Sequence, residues 1–270
     1  MAVSRRNEGS DLGARVLAAI PAIAFAVFIV IEGGTVFAVG IALLGVMACA
    51  ELFRMMRRPG PPIVAGYLSV IAMVFAARYG NRDTVLLVLV ISVPVVFFAT
   101  LPRRNLQNSS WAMAVAIFGI VWIGLAVAHA VLLRELPHGG GLVVDTLIGT
   151  FLSDTGAYFT GRAWGRRPLS PRVSPNKTLE GLIGGILIGT LAFWLAGLYQ
   201  NWLNGVDALV IGAAVALAAP VGDLFESLIK RDNQVKDTGR FFGAHGGVLD
   251  RLDAVLFTAV TAYYVALAVL

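Results

Sequence analysis

Polar residues divide this chain into long apolar blocks instead of alternating with apolar ones. Nine such runs follow one another, at roughly Val16–Ile31, Thr35–Phe53, Pro61–Ala77, Thr84–Leu101, Trp111–Leu133, Leu142–Thr160, Leu179–Trp202, Ala208–Leu228 and Ala254–Leu270. A helix needs about 20 apolar residues to cross a hydrocarbon core about 30 Å thick, with about 17–25 tolerated. The pattern therefore predicts an all-α, polytopic membrane fold with about nine transmembrane helices, the third and last of them short. The first run follows a polar start at Ser4–Asp11 and lacks a small-x-small cleavage site, so it reads as a span and not as a leader.

Composition strengthens that reading. Of 270 residues, 58% are apolar and 14% charged, and the mean hydropathy is +0.80. Soluble domains carry about 25% charged residues, which excludes a water-soluble globule, a coiled coil and a disordered chain. Cys49 lies in an apolar run and reads as core packing; a single cysteine also excludes an intrachain disulfide. Charge then sets orientation. With the N-terminus cytoplasmic, 18 of the 21 Lys and Arg residues fall in inside segments, and only Arg78, Arg82 and Arg134 fall outside. The basic face serves topology and lipid headgroups on the plain reading, and an anionic substrate on the sharper one.

The chain divides by polarity near residue 140. Residues 1–140 form a hydrophobic scaffold, and 141–270 a catalytic transmembrane region with cytoplasmic loops at 161–180 and 229–252. Carboxylates inside a span are costly and each calls for a partner or a task. Glu51 reads as an i, i+3 ion pair with Arg54, and Asp145 as a helix cap. Asp154, Tyr158 and Arg162 share one helix face, as a buried pair or as the wall of a cavity. Asp223, Ser227 (or Glu226) and Lys230 share another, and Asp250 and Asp253 follow at the start of the last helix. Three carboxylates brought together this way suit Mg²⁺ or Mn²⁺, and no His/Cys set favours zinc.

Between those helices, glycines at 239, 243, 246 and 247 open the backbone to an anion, with Lys236 and Arg240 beside them. The loop Gly165–Gly181 is basic and stiffened by proline. It opens a helix at which Thr178 or Asn176 caps, Lys177 reaches a phosphate, and Gly181, Gly184 and Gly185 line the start. Divalent metal plus basic groups at a polyphosphate point to in-line phosphoryl or nucleotidyl transfer. A lipid phosphate as nucleophile is already ionised near neutrality, its second pKa being about 6, so no protein base is required.

The run Ser227–Asp253 resembles the motif of the phosphatidate cytidylyltransferases, also called CDP-diacylglycerol synthases. The resemblance rests on Ser227, Lys230-Arg231, Lys236-Asp237, Gly239, His245-Gly246-Gly247, Asp250-Arg251 and Asp253. Ser153–Arg162 and Ser174–Gly185 are similar to that family too, and the first half matches it only as a multi-span scaffold. Gly243-Ala244, Asn176 and Leu179 depart from the usual Pro-Gly, Lys and Trp. The resemblance implies transfer of CMP from CTP to phosphatidic acid, giving CDP-diacylglycerol and pyrophosphate, with Mg²⁺ required. It also implies a homodimer, with membrane lipids and no nucleic acid among its partners, while the size and the basic inside face fit a bacterial inner membrane with the active site facing the cytoplasm.

It further assigns roles. Asp223 and Asp250 become metal ligands, with Asp253 a third ligand or a carboxylate behind them. Lys177, Lys230, Arg231, Lys236 and Arg251 neutralise the triphosphate and the lipid phosphate. Ser174 and Ser227 donate to phosphate, Gly246 and Gly247 line the anion's path, and Asp237 and His245 orient the loop or protonate pyrophosphate. His129 reads as a buried hydrogen-bonder and His138 as a loop residue. A polyprenol kinase would share these groups, and a cation transporter would use Asp154 and Asp223 without needing the basic loop.

Overall fold

A computed structural model describes residues 21, 23–239, 241 and 246–270. His245, Arg240, Arg5, Arg6, Arg15 and the start of the first run lie outside the described residues. The apolar runs become helices: α1 (Ile23–Glu32), α2 (Gly34–Met55), α3 (Ile63–Tyr79), α4 (Arg82–Thr100), α5 (Ser109–Glu135), α6 (Gly139–Trp164), α7 (Leu179–Gly197), α8 (Gly205–Asp232) and α9 (Leu249–Val269). Among the described residues, six are long and apolar enough to cross a membrane: α2, α4, α5, α7, α8 and α9. The chain is thus a helical membrane protein. α6 extends well beyond the predicted Leu142–Thr160, and its apolar character is diluted by Asp145, Thr146, Thr150, Ser153 and Asp154.

One element departs from the all-α expectation. Within loop 161–180, β1 (Pro168–Ser170) pairs antiparallel with β2 (Ser174–Thr178), with Pro168 opposite Thr178 and Ser170 opposite Ser174. Proline stiffening disfavours helix there, and an extended hairpin satisfies the backbone outside the spans. Thr178 then caps α7, its Oγ1 accepting from Gly181 N at 3.1 Å, while Asn176 takes no part in the cap.

Polar ties between helices gather at two ends. At one, Arg78 pairs with Glu135 at 3.0 Å, Arg134 donates to the Val30 carbonyl, and Gln200 bonds Asp145. Asp145 thus joins α6 to the turn after α7; it is no helix cap, because it lies in the seventh position of α6. At the other end, Arg103 donates to the Pro59 carbonyl at 2.9 Å, and Arg231 to that of Val173 at 3.2 Å. The interior between is apolar and close-packed. Cys49 is wholly buried there, and His129 bridges the Leu125 carbonyl and the Tyr264 hydroxyl, as the sequence suggests for both. His138 begins α6 in a left-handed conformation and stacks on Trp202.

α6 and α7 approach most closely, through small residues spaced four apart. A Cβ on Gly181 would stand 2.8 Å from the Ala157 carbonyl oxygen, one on Gly185 2.7 Å from that of Ser153, and one on Gly189 2.9 Å from that of Gly149. These glycines bring two backbones together without a hydrophobic driving force from the surrounding lipid. Gly181 and Gly185, expected to line the start of this helix, therefore serve its contact with α6. Replacing Gly185 by Val should destabilise the protein by about 1–3 kcal/mol through overpacking. Thermal unfolding of the purified variant in detergent checks this, and an unchanged transition would contradict the contact.

Candidate active site

The end of the molecule that carries Arg103, Arg231 and the hairpin also collects the charged residues of α8 and α9. α8 presents Asp223, Glu226, Ser227 and Lys230 at helical spacing. Lys230 Nζ lies 2.5 Å from Glu226 Oε2 and 2.9 Å from Asp250 Oδ1. Glu226 has no solvent exposure, and among the described residues its Oε1 has no hydrogen-bond partner. Breaking such a buried pair would strand a charge, so the three side chains behave as one unit.

The hairpin delivers the second cation. Its base is clamped by Glu180, whose Oε2 accepts from Arg166 N at 2.9 Å and Arg167 N at 3.1 Å. Leu179 N donates to the Arg167 carbonyl, and Arg231 Nε holds the Val173 carbonyl from α8. So tethered, Lys177 at the end of β2 stands 2.6 Å from Asp223 Oδ2, as an ion pair and not as an aligned hydrogen bond. Ser227 Oγ donates to Asp223 Oδ1 at 3.3 Å. Both Lys177 and Asp223 remain about a quarter to a third exposed, so this pair opens to the surface while Glu226 does not.

The expected convergence of Asp223, Asp250 and Asp253 is divided between two neighbouring centres. Asp154 lies within electrostatic reach of Asp223, Asp253 and Lys177, and Asp253 within reach of Asp223, Lys230 and Lys177. Asp250 instead organises the loop: its carboxylate accepts from Gly247 N at 2.7 Å, Thr238 N at 3.0 Å and Thr238 Oγ1 at 2.9 Å, besides Lys230. Among the described residues, no three His, Cys, Asp or Glu side chains enclose a common point tightly enough to hold an ion in this arrangement. The two lysines draw Asp223 and Asp250 to different partners.

The oxygen-only donor set nevertheless suits a hard divalent cation. Asp154, Asp223 and Asp253 have Lys177 within reach, and Lys230, which also reaches Asp253, is already held by Glu226 and Asp250, so negative charge outnumbers positive here. Asp154 joins this group through its own helix, and the sequence had left it between a buried pair and a cavity wall. It is exposed, while Arg162 donates to Tyr158 instead, which favours the wall.

Other predicted residues fall in place less directly. Lys236, Asp237 and Arg251 are exposed at the same end, and Ser174 is half-buried in β2. Gly246, at φ +82°, and Gly247 lie against Asp250 and Glu51, leaving room for those carboxylates.

Two residues were missed. Glu51 does not pair with Arg54. It is buried under the loop, accepting from Val248 N at 3.0 Å, Leu249 N at 2.8 Å and Thr238 Oγ1 at 3.2 Å. Thr238 in turn faces both Glu51 and Asp250. The only sequence signal for Glu51 was a carboxylate within an apolar run; its partners stand 187–198 residues away.

The sequence profile of the cytidylyltransferase family matches residues 13–269. The chain is 41% identical over 155 residues to an uncharacterized protein, YnbB, of Escherichia coli K12, covering 55% of this chain and 52% of that protein. It is 38% identical over 147 residues to a phosphatidate cytidylyltransferase of Mycobacterium leprae, covering 54% and 47% of the two chains. These matches span about half the length of each relative. A phosphatidate cytidylyltransferase of Bacillus subtilis is 29% identical over 262 residues, 94% of this chain and 97% of its own.

Removing Lys230 tests the ion unit directly. Lys230→Met should cost about 3–5 kcal/mol by stranding Glu226 and Asp250, and adding Glu226→Gln should recover part of the loss. Thermal denaturation of the single and double variants measures both steps; an additive double variant would show that the pair is not coupled.

Proposed function

Since the chain belongs to the cytidylyltransferase family, we propose that it is a phosphatidate cytidylyltransferase, transferring CMP from CTP to phosphatidic acid and releasing pyrophosphate. One observation carries the reading beyond kinship. Lys177 from the hairpin and Lys230 from the last turns of α8 meet carboxylates of α8 and α9 at one end of a membrane protein, where a lipid phosphate and a water-borne triphosphate can meet.

The chemistry follows from those groups. A phosphatidate oxygen, ionised near neutrality, attacks the α-phosphorus of CTP; the bond from that phosphorus to the bridging oxygen breaks, and pyrophosphate leaves. Lys177, Lys230, Arg231, Lys236 and Arg251 neutralise charge on both substrates, and Ser174 and Ser227 donate to phosphate oxygens. Positioning plus charge stabilisation accounts for most of the catalysis in such transfers. Asp223 and Asp253, with Asp154 beside them, are the residues that would hold Mg²⁺, which when bound neutralises the triphosphate and the leaving pyrophosphate, and Asp250 would join them on leaving Lys230 and Thr238. Asp237 and His245 orient the loop or give pyrophosphate a proton.

The same proposal places the N-terminus in the cytoplasm, about nine spans in a bacterial inner membrane, and the site on the cytoplasmic face of a homodimer. The distribution of Lys and Arg supports the orientation, and kinship supports the membrane.

Purified protein with labelled CTP and Mg²⁺ distinguishes the substrates. Phosphatidate should yield CDP-diacylglycerol and pyrophosphate, whereas CDP release with a polyprenol would reject the assignment in favour of a kinase. Asp223→Asn, nearly isosteric, should lower turnover at least about a hundredfold while the protein still folds. Lys177→Ala should raise the KM for CTP or phosphatidate, and unchanged kinetics would reduce the hairpin to a topological role.

A further inference from the structure

We propose that Glu51, on the scaffold helix α2, is a positioning residue for this transfer: it sets Lys230 and Asp250 in place through Thr238 and the start of α9. The inference rests on the reaction assigned above. Glu51 is 5% exposed and meets the loop with both oxygens. Oε1 accepts from Val248 N, while Oε2 accepts from Leu249 N and faces the Thr238 hydroxyl. That hydroxyl's single proton also faces Asp250 Oδ2 at 2.9 Å, and Asp250 is held in turn by Lys230. A continuous chain of contacts thus joins the scaffold carboxylate to the ammonium group of the site.

The physical reason is the helix start. The first N–H groups of a helix lack intrahelical partners and bear partial positive charge, so they attract an anion. In this loop the N–H groups of Gly247, Val248 and Leu249 are all taken by Asp250 and Glu51. Gly239 and Gly247 admit the Glu51 carboxylate to this position, since a Cβ on either would collide with it. The triphosphate therefore meets side-chain cations instead of this helix terminus, and Thr238 and residues 247–249 are held in place before substrate arrives.

Glu51→Gln in the full-length protein separates charge and acceptor geometry from volume. Hydrogen–deuterium exchange at Gly247–Leu249 should accelerate at least about tenfold as acceptors are lost, with peptides of α3 and α5 unchanged. Turnover should fall at least about tenfold, with KM for CTP within about threefold. A residue that only fills space beneath the two glycines tolerates Gln, so wild-type exchange and turnover would overturn the proposal. Should that variant fail to assemble, Thr238→Val removes the shared hydroxyl at nearly constant shape. It should accelerate exchange across 246–250 and lower turnover about threefold or more, and wild-type values would again overturn it. A wild-type protein inactive on CTP and phosphatidate would reject the assigned reaction, while the exchange measurement would still decide the role of Glu51.

Discussion

A carboxylate with no solvent exposure, Glu226, cannot remain charged inside a membrane protein unless a cation stays beside it. Lys230 is that cation, and it also holds Asp250. One ammonium for two carboxylates leaves a deficit of positive charge, which the loop meets with N–H groups from Thr238 and Gly247. Thr238 and Gly247, in the connection between α8 and α9, are thus tied to this ion unit. The hairpin follows the same rule on the more open side, where Lys177 ties it to Asp223. Loops with little apolar content of their own are placed by charges anchored in helices.

That arrangement suits a reaction between a lipid and a soluble nucleotide. The more exposed pair, Lys177 and Asp223, can exchange partners with substrate, whereas Lys230 stays with Glu226 and Asp250 and acts on substrate charge from beside them. Around them the aromatic rings of Trp122, Phe225 and Phe257 join α5, α8 and α9, with Trp122 and Phe225 4.9 Å apart. Trp122 lies in a π-turn at Ile120–Gly124 that interrupts the regular α-helix of α5. The scaffold therefore packs directly against the helix bearing the site.

Much of this was legible in the sequence, because bilayer thickness and backbone hydrogen bonding leave few choices to a chain so apolar. Helix positions, the buried Cys49 and His129, and the charged faces of α8 and α9 followed from spacing alone. Partners distant in sequence did not. Glu51 and Arg54 have ideal spacing for a local pair, yet Glu51 turns to backbone groups nearly two hundred residues on, because a helix terminus buried beside it offers better hydrogen bonds. Asp145 likewise finds a distant partner, the side-chain amide of Gln200, 55 residues on. Gly181 and Gly185 carried an ambiguous signal, since close approach to an anion and close approach to a helix both require a missing side chain. The loop glycines at 246 and 247 carried the same ambiguity, and carboxylates of the chain itself occupy the space they leave.

The contact from α2 to the start of α9 also bears on what a minimal version of this protein must contain. Composition changes near residue 140, and several relatives match only about half of the chain, which invites treating the polar half as a self-sufficient fragment. Excising it would leave the amides of Val248 and Leu249 facing a hollow lined by two glycines. The first half thus supplies an acceptor that the second lacks, and a shortened or split form would need a carboxylate brought back to that spot.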